Sequence, residues 1–485
     1  MQRMWVVVAL FPAVLLGVVD ANPCVAGSYE VDETQLRAVD SDAESPVFSQ
    51  EGLHLAYVTR KGAKSVVVVD GVSGTGYDEI EKSSLAISLD GKRVAYLARK
   101  GEKWVVVVDG VPGPEYDEVP KWTLVYNGDV KHIAYLAKKG DKYVVVVDGQ
   151  PGAEYDEIDD DSVVFSADGK RLAYAATKED SEYLTVAGGQ SGPVRHAGSP
   201  VFSTDGKRLA YVVRHGEKSV VVVDDVTGPE YDGIVDDSIV FSADGKRVAY
   251  VASTSDNKCF VVVDGQPGPK CDAGSRPVLS PDGKRLAHRV RHGEMFVVVV
   301  DGVTGPEYDM IENDSIVFSA DGRRVAYVAQ IWKGKEGVRF VSSVVVDGQA
   351  GLEFYSASRP VFSPDGKHLA YGATGNVVSA AGTVGGALFV IEQYPLYGNT
   401  IVVDGQAGPR YVYGVQLPVF SQDSKHLAYL AKEGEKWVVV IDGRPGPAYE
   451  RVFTMDPIQI QTDGAVEYLA YRSNVLYRVK HIPVP

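Results

Sequence analysis

Residues 199–234 read SPVFSTDGKRLAYVVRHGEKSVVVVDDVTGPEYDGI, and their pattern decides the fold of the whole chain. Pro200 to Ser203 is a short extended run, strand a, ending at Asp205-Gly206, a turn dipeptide that tolerates positive φ. Leu209 to Val213 forms strand b, and His215-Gly216 supplies the next reversal. Ser219 to Asp224 is strand c, a continuous valine run. Apolar residues on both faces suit a strand covered by a neighbouring sheet on each side. Gly228-Pro229 is read as a third turn, leading to strand d, Tyr231 to Ile234, whose Glu and Asp residues blunt an exposed edge. A helical reading fails, because Gly or Pro repeatedly breaks these β-branched runs.

The unit recurs along the chain. Tyrosines ending an Ala-Tyr dipeptide fall at 57, 96, 135, 174, 211, 250, 327, 371, 429 and 471, and His288 fills the one missing slot. Their spacings are 39, 39, 39, 37, 39, 38, 39, 44, 58 and 42 residues, which makes eleven units. A period of about 40 residues is that of a four-stranded propeller blade. The expected fold is therefore all-β, a β-propeller of tandem four-stranded blades. The last unit supplies only strands a, b and c, at Pro457–Thr462, Val466–Tyr471 and Val475–Val479. Gly27 to Asp32, near the other end, resembles an orphan strand d such as Glu115 to Val119. Pairing this N-terminal strand with the last blade removes both free edges. Propellers typically have about four to eight blades, so two smaller rings in tandem are the alternative. Connections of uniform length with no linker favour one continuous array.

Pro360-Val361-Phe362-Ser363-Pro364-Asp365-Gly366-Lys367-His368-Leu369-Ala370-Tyr371 resembles the WD-repeat-like core of the TolB-type propeller family, P-x-F-S-P-D-G-K-x-L-A-Y. Val164 to Tyr174 and Val317 to Tyr327 are similar to it as well. The valine run and the Gly-Pro segment depart from that family's usual strands c and d. The resemblance implies a bacterial envelope or secreted setting and a protein-binding propeller. It names no partner, because propellers host many functions.

Composition narrows the setting further. The chain has 485 residues, 45% hydrophobic and 24% charged, which is ordinary globular composition. Its net charge of −16 repels phosphate backbones and anionic bilayers, so nucleic acid is not an expected partner. Residues 1–21 read as a signal peptide, with Arg3 as the positive start, Trp5 to Val19 as the apolar core, and Val19-Asp20-Ala21 before the cleavage point. Lipid attachment at Cys24 is the other reading, although Pro23 beside it suits that signal poorly. The mature chain, residues 22–485, is then one repeat array with no transmembrane segment, periplasmic or secreted. Cys24, Cys259 and Cys271 are too few for a disulfide framework and lack zinc-ligand spacing. Cys259 and Cys271 lie on strands c and d of one unit, and either bridge or stay as two buried thiols.

Most recurrent motifs read as structure. Ser-x-Asp-Gly, as in Ser166 to Gly169 and Ser203 to Gly206, resembles the Asp box of sialidases but lacks its Gly-x-Thr-Trp, which leaves an Asx-type turn. Asp159-Asp160-Asp161, Asp236-Asp237 and Glu312-Asn313-Asp314 could offer oxygens to calcium, but they lack a dedicated loop's spacing and read as solvated turns. Basic residues of the b–c turns, such as Lys61 and Lys64 or Lys139 and Lys142, share a face with acidic d–a connectors and read as surface ion pairs. His54, His132, His368 and His426 stand where other units carry Arg and read as surface variants. No G-x-S-x-G occurs, and neither a metal nor a cofactor is expected. A metal-dependent polysaccharide lyase on a similar propeller is the enzyme alternative.

In an array of near-identical units, function belongs where one unit departs from its siblings. The Tyr-to-Asp span across the b–c hairpin is 13 residues in the first units (57 to 70, 96 to 109, 135 to 148). It grows to 20 in the eighth (327 to 347) and 33 in the ninth (371 to 404). These neighbouring hairpins carry Trp332, Phe340, Phe389, Tyr394 and Tyr397, with Lys333, Lys335 and Arg339 beside them. Aromatic residues flanked by basic ones have the composition of a partner-binding patch. A self-packed extension is the plainer reading. The function expected is that of an exported, non-catalytic scaffold that binds another protein.

Overall fold

A computed structural model of the chain describes residues 28–484, apart from 39–43, 50–53, 89–90, 121–122, 127–131, 179–181, 188–189, 194–198, 336–337, 376–381, 385–386, 390–397, 454–457, 462–463 and a few single positions. Residues 1–27, which hold the expected signal peptide and Cys24, lie outside the described residues. The chain is all-β: eleven antiparallel sheets, each built on a long b–c hairpin, follow one another as the blades of one propeller. Blade 5 is typical, with a at Val201–Phe202, b at Leu209–His215, c at Lys218–Val223 and d starting at Val226–Thr227.

The reversal between c and d lies earlier than expected. In blade 1, Val69 pairs with Val72 across Asp70 (φ 51°) and Gly71 (φ 82°). Two successive positive φ values are what a two-residue hairpin with the natural strand twist requires. Blade 5 turns the same way on Asp224 and Asp225, and Gly228-Pro229 falls inside strand d. Gly228 N–H donates to the Val221 carbonyl at 2.9 Å, and Tyr231 exchanges both backbone hydrogen bonds with Ser219. A Cβ at Gly228 would meet the Val221 carbonyl oxygen at 2.9 Å, so glycine lets strand d approach strand c this closely. Tyr231 to Ile234 is therefore not one strand. Gly233–Ile234 has already crossed to blade 6, where it pairs with Ser253 and Ala252. Each chain crossing thus stitches one blade's outer strand to the inner edge of the next.

The repeated residues do distinct jobs. The turn Asp ties the c–d turn to the start of strand b: in blade 5, Asp224 Oδ1 accepts Leu209 N–H at 2.9 Å and Oδ2 accepts Arg208 Nε at 2.7 Å. Arg208 also donates to the Lys246 carbonyl of blade 6 at 2.6 Å and lies over the Phe241 ring. Arg171, Arg285 and Arg324 make the same two-way contact with the blade that follows each, and Arg247 donates to Gly283. The Ser-x-Asp-Gly motif is an Asx turn as read: Asp205 Oδ1 accepts from Ser203 Oγ and from Lys207 N–H. Those bonds hold the Asp205 carboxyl down at about 2.

Between blades the packing is aromatic and tight. The alanine of each Ala-Tyr dipeptide is fully buried, for example Ala95, Ala134, Ala249 and Ala428. The tyrosine beside it meets, edge on, the tyrosine closing the preceding strand d: Tyr77–Tyr96, Tyr116–Tyr135, Tyr155–Tyr174 and Tyr411–Tyr429, all near 6 Å. Such pairs add about 0.5–1.5 kcal/mol each beyond the area they bury. In blade 11 the partner of Tyr449 is Tyr468, not Tyr471. The a–b turn there is one residue shorter, and the true last interval, 429 to 468, is again 39 residues.

The ring closes once. Ser28–Ala38 forms the outer strand of blade 11, in register from Ser28 opposite Val484 to Ala38 opposite Val475. This is the expected N-terminal closure, with a strand that runs past Asp32. Leu55, Tyr57, Val66 and Val68 of blade 1 pack on Leu469 and Leu476 of blade 11. Blades 5 and 6, where a five-plus-six division would fall, share a core through Val221, Tyr250 and Val262. The two-ring alternative is thereby set aside. Deleting residues 28–38 should abolish hydrogen-exchange protection across Val475–Val484, far away in sequence. Protection there that matches the intact chain would contradict closure by this strand.

Candidate functional site

The b–c hairpin of blade 8, Val325–Lys335 and Val338–Val346, projects beyond short ones such as that of blade 1, which turns back within two residues at Gly62-Ala63. Trp332 and Phe340 face each other across its strands, ring centroids 4.9 Å apart and edge on. They cover one another in part and remain 47% and 38% exposed. The hairpin is anchored at its root. Asp309 accepts Trp332 N–H at 2.7 Å, and Lys333 is ion-paired with Glu353 at 2.8 Å. Lys333 is thus engaged by its own blade and is not a free cation beside the aromatics.

The blade 9 hairpin contributes less that can be described. Phe389 lies on Ala387–Phe389, paired with Gly382–Val384, and its side chain is outside the described residues, as are Tyr394 and Tyr397 entirely. Of the five aromatics, Trp332 and Phe340 are brought together among the described residues.

Cys259 and Cys271 form a disulfide, directly opposite on strands c and d of blade 6 with Cα atoms 5.0 Å apart. Cys271 occupies the slot that holds Tyr77 or Tyr116 elsewhere, and His288 occupies the facing Ala-Tyr slot of blade 7. Both members of one aromatic seam are replaced together. His288 is half-buried, its buried Nδ1 has no partner among the described residues, and desolvation pulls its pKa down to about 4.

The other histidines are not the simple surface variants expected. His54, His132, His368 and His426 each pair with the turn Asp of their own blade, at 2.7–2.8 Å. They substitute for Arg in half of its role, and His426 is largely buried. At the ring closure, Tyr29 donates to Asp442 at 2.9 Å beside His426. Glu33 accepts from Tyr449 and from Arg472, and these bonds hold its carboxyl low against the opposing effect of burial. His481 is bonded to the Tyr468 hydroxyl and stacked on its ring, and burial lowers it to about 4. None of this clasp was visible without knowing which strand closes the ring.

The charged rim carries ion pairs, but these run within a blade and not from the b–c turns to the d–a connectors of a neighbour. Lys64–Asp78, Lys142–Asp156 and Lys218–Asp232 each link the start of strand c to the end of strand d. Asp78 also accepts the Gly101 N–H of the next blade at 2.8 Å. Asp159 caps the turn at Asp160–Ser162; burial and the neighbouring Asp160, Asp161 and Asp237 raise its pKa.

No protein-family model matches the chain, and no curated protein matches it. Among solved structures it is similar to a eukaryotic initiation factor, at 14% identity over 66% of this chain and 90% of that one, TM-score 0.37. It is similar to the tricorn protease at 13% identity over 88% of this chain, TM-score 0.31, and covers 52% of that chain, about half its length. TolB from Acinetobacter baumannii is similar at 13% identity over 51% of this chain and 77% of that one, TM-score 0.25. The blade count and the closure rest on this chain's own sheets.

Two measurements check the seam between blades 6 and 7. Opening the disulfide with Cys271→Ser frees a loop of 12 residues and should lower stability by about 3 kcal/mol, read by chemical denaturation; no loss would mean the bond is not formed. His288 and His481 hold fewer protons folded than unfolded between about pH 4 and 6.5. Stability is therefore full above pH 6.5 and falls as pH drops towards 4, by on the order of 3 kcal/mol for each. His288→Tyr, which restores the repeat residue, should remove about half of that slope; an unchanged slope would contradict the desolvation of His288.

Proposed function

We propose that this chain is an exported, non-catalytic propeller that binds a protein partner through the raised hairpin of blade 8. The observation that carries the reading is the Trp332–Phe340 pair, half exposed on the one described hairpin that rises above the turns of its siblings. A large aromatic pair left in water is unfavourable unless another surface covers it. Interfaces concentrate their energy in such residues. The Lys333–Glu353 and Asp309–Trp332 contacts hold the pair in place before binding, which lowers the ordering cost of association. The apolar start of the chain and the disulfide suit an oxidising compartment outside the cytoplasm.

The test is a Trp332→Ala/Phe340→Ala double variant. Its stability should stay within about 0.5 kcal/mol of wild type per site, as for exposed residues. Affinity for the protein that the wild-type chain captures from its own envelope extract should fall by more than about 2 kcal/mol. A stability loss of about 3–5 kcal/mol would instead mark the pair as packing and overturn the reading.

A further inference from the structure

At the junction of blades 9 and 10, on the face that carries the raised hairpins, lies a cavity of about 440 Å³. We propose that it is a binding site for a neutral saccharide, separate from the aromatic pair of blade 8. The comparison that points to it is internal. The same place at the junction of blades 1 and 2 is a cavity of about 470 Å³ lined by charge: Arg60, Asp78, Glu79, Glu81, Lys82 and Arg99. Repeat alignment puts Gly372 where blade 1 has Val58, Thr374 where it has Arg60, and Asn399 where it has Ser65. Across the seam, Val415 and Gln416 of blade 10 replace Ile80 and Glu81 of blade 2. None of the residues lining this cavity is ionisable, in a chain whose net charge is −16, and Lys432, at the slot of Arg99, is not among them.

Gly372 is the sharpest departure. The residue after this tyrosine or histidine is valine, leucine or arginine in nine other blades and Ala175 in blade 4, and glycine here alone. Its conformation does not call for glycine. Gly372 N–H donates to Ser358 Oγ at 2.8 Å, as Arg289 of blade 7 does to Ser275, the serine at the same repeat position, at 3.2 Å. A Cβ at Gly372 would lie 3.3 Å from Ser358 Oγ and 3.6 Å from Val415, and glycine leaves that space open.

The lining fits a polyhydroxylated ligand. Ser356, Ser358 and Thr374 offer hydroxyls, and Asn399 and Gln416 carboxamides, groups that both donate and accept, as sugar hydroxyls do. Ala357, Ala373 and Val415 supply apolar surface for the C–H face of a sugar ring. A cavity with a few convergent polar groups and apolar walls holds a ligand of mono- or disaccharide size. An anionic or cationic ligand would enter without a counter-charge, at a desolvation penalty that nothing in the cavity offsets.

Saturation-transfer NMR on the full chain tests this with maltose, lactose and N,N′-diacetylchitobiose as neutral probes, and a glucuronate disaccharide as the charged comparator. Maltohexaose, run beside maltose, separates recognition of a free disaccharide from recognition within a longer chain. At least one neutral probe should bind. Gly372→Val, compared with wild type at a temperature where its melting curve shows it folded, should weaken that binding about tenfold or more. Lys82→Ala, in the charged cavity, should leave it unchanged. Binding that survives Gly372→Val, tighter binding of the glucuronate disaccharide, or binding of none of the neutral probes overturns the proposal.

Discussion

The structure depends on one constraint: no blade can cover itself. Strand c is valine on both faces, and Val105, Val106 and Val107 are all buried because a neighbouring blade lies on each side. At roughly 25 cal/mol for each Å² removed from water, a blade at the end of an open row would leave a whole apolar face unsatisfied. Closure is therefore the condition under which the eleven sheets are stable together. It explains why the first strand of the chain completes the last blade, and why blade 1 packs on Leu469 and Leu476 as if it were the next repeat.

The seams divide that task between apolar and polar contacts. In most seams an alanine too small to obstruct and an edge-on aromatic pair fill the wedge between blades, the seam of blades 6 and 7 excepted. On one end of the ring the Arg of strand b reaches forward from its own turn Asp to the carbonyls of the following blade. On the other end the Asp of the Tyr-Asp pair reaches forward to the next b–c turn. Individual exposed ion pairs contribute little. Their regular placement instead fixes the angle between neighbours. Where His replaces Arg, at His54 and His368, the tie to the turn Asp is kept without a described donation to the following blade.

Much of this was legible in the sequence, because it is periodic. The Ala-Tyr interval gave the blade count, and the missing fourth strand at one end matched the spare strand at the other. What misled was local punctuation. Gly228-Pro229 is the conspicuous breaker, yet the reversal belongs to Asp224-Asp225, since a two-residue hairpin needs two positive φ values, which proline cannot adopt. Tyr471 took the place of Tyr468 because Gly464 stands four residues from its tyrosine where Gly366 stands five from Tyr371. The clasp of Tyr29, Glu33, His426 and His481 was hidden for another reason. It joins residues some 400 apart, and no spacing rule links them.

Repetition also sharpens the search for function. A recurrent residue is accounted for by the seam it builds, so a position carries functional information in proportion to its departure from ten siblings. Three departures stand out, and they differ in kind. Blade 8 raises a hairpin and leaves an aromatic pair in water, which changes the outer surface and leaves the seams untouched. Blades 6 and 7 exchange an aromatic seam for a disulfide and a half-buried histidine, which changes how two blades are held. Blades 9 and 10 line one cavity with no ionisable residue and open space at Gly372, in the blade whose sequence carries the longest b–c insertion. A single neutral slot could follow from drift, but coordinated loss of charge on both walls of one cavity leaves a chemically uniform surface. Such a surface favours ligands by hydrogen bonding and shape, and on a molecule this acidic that is the property hardest to obtain by default.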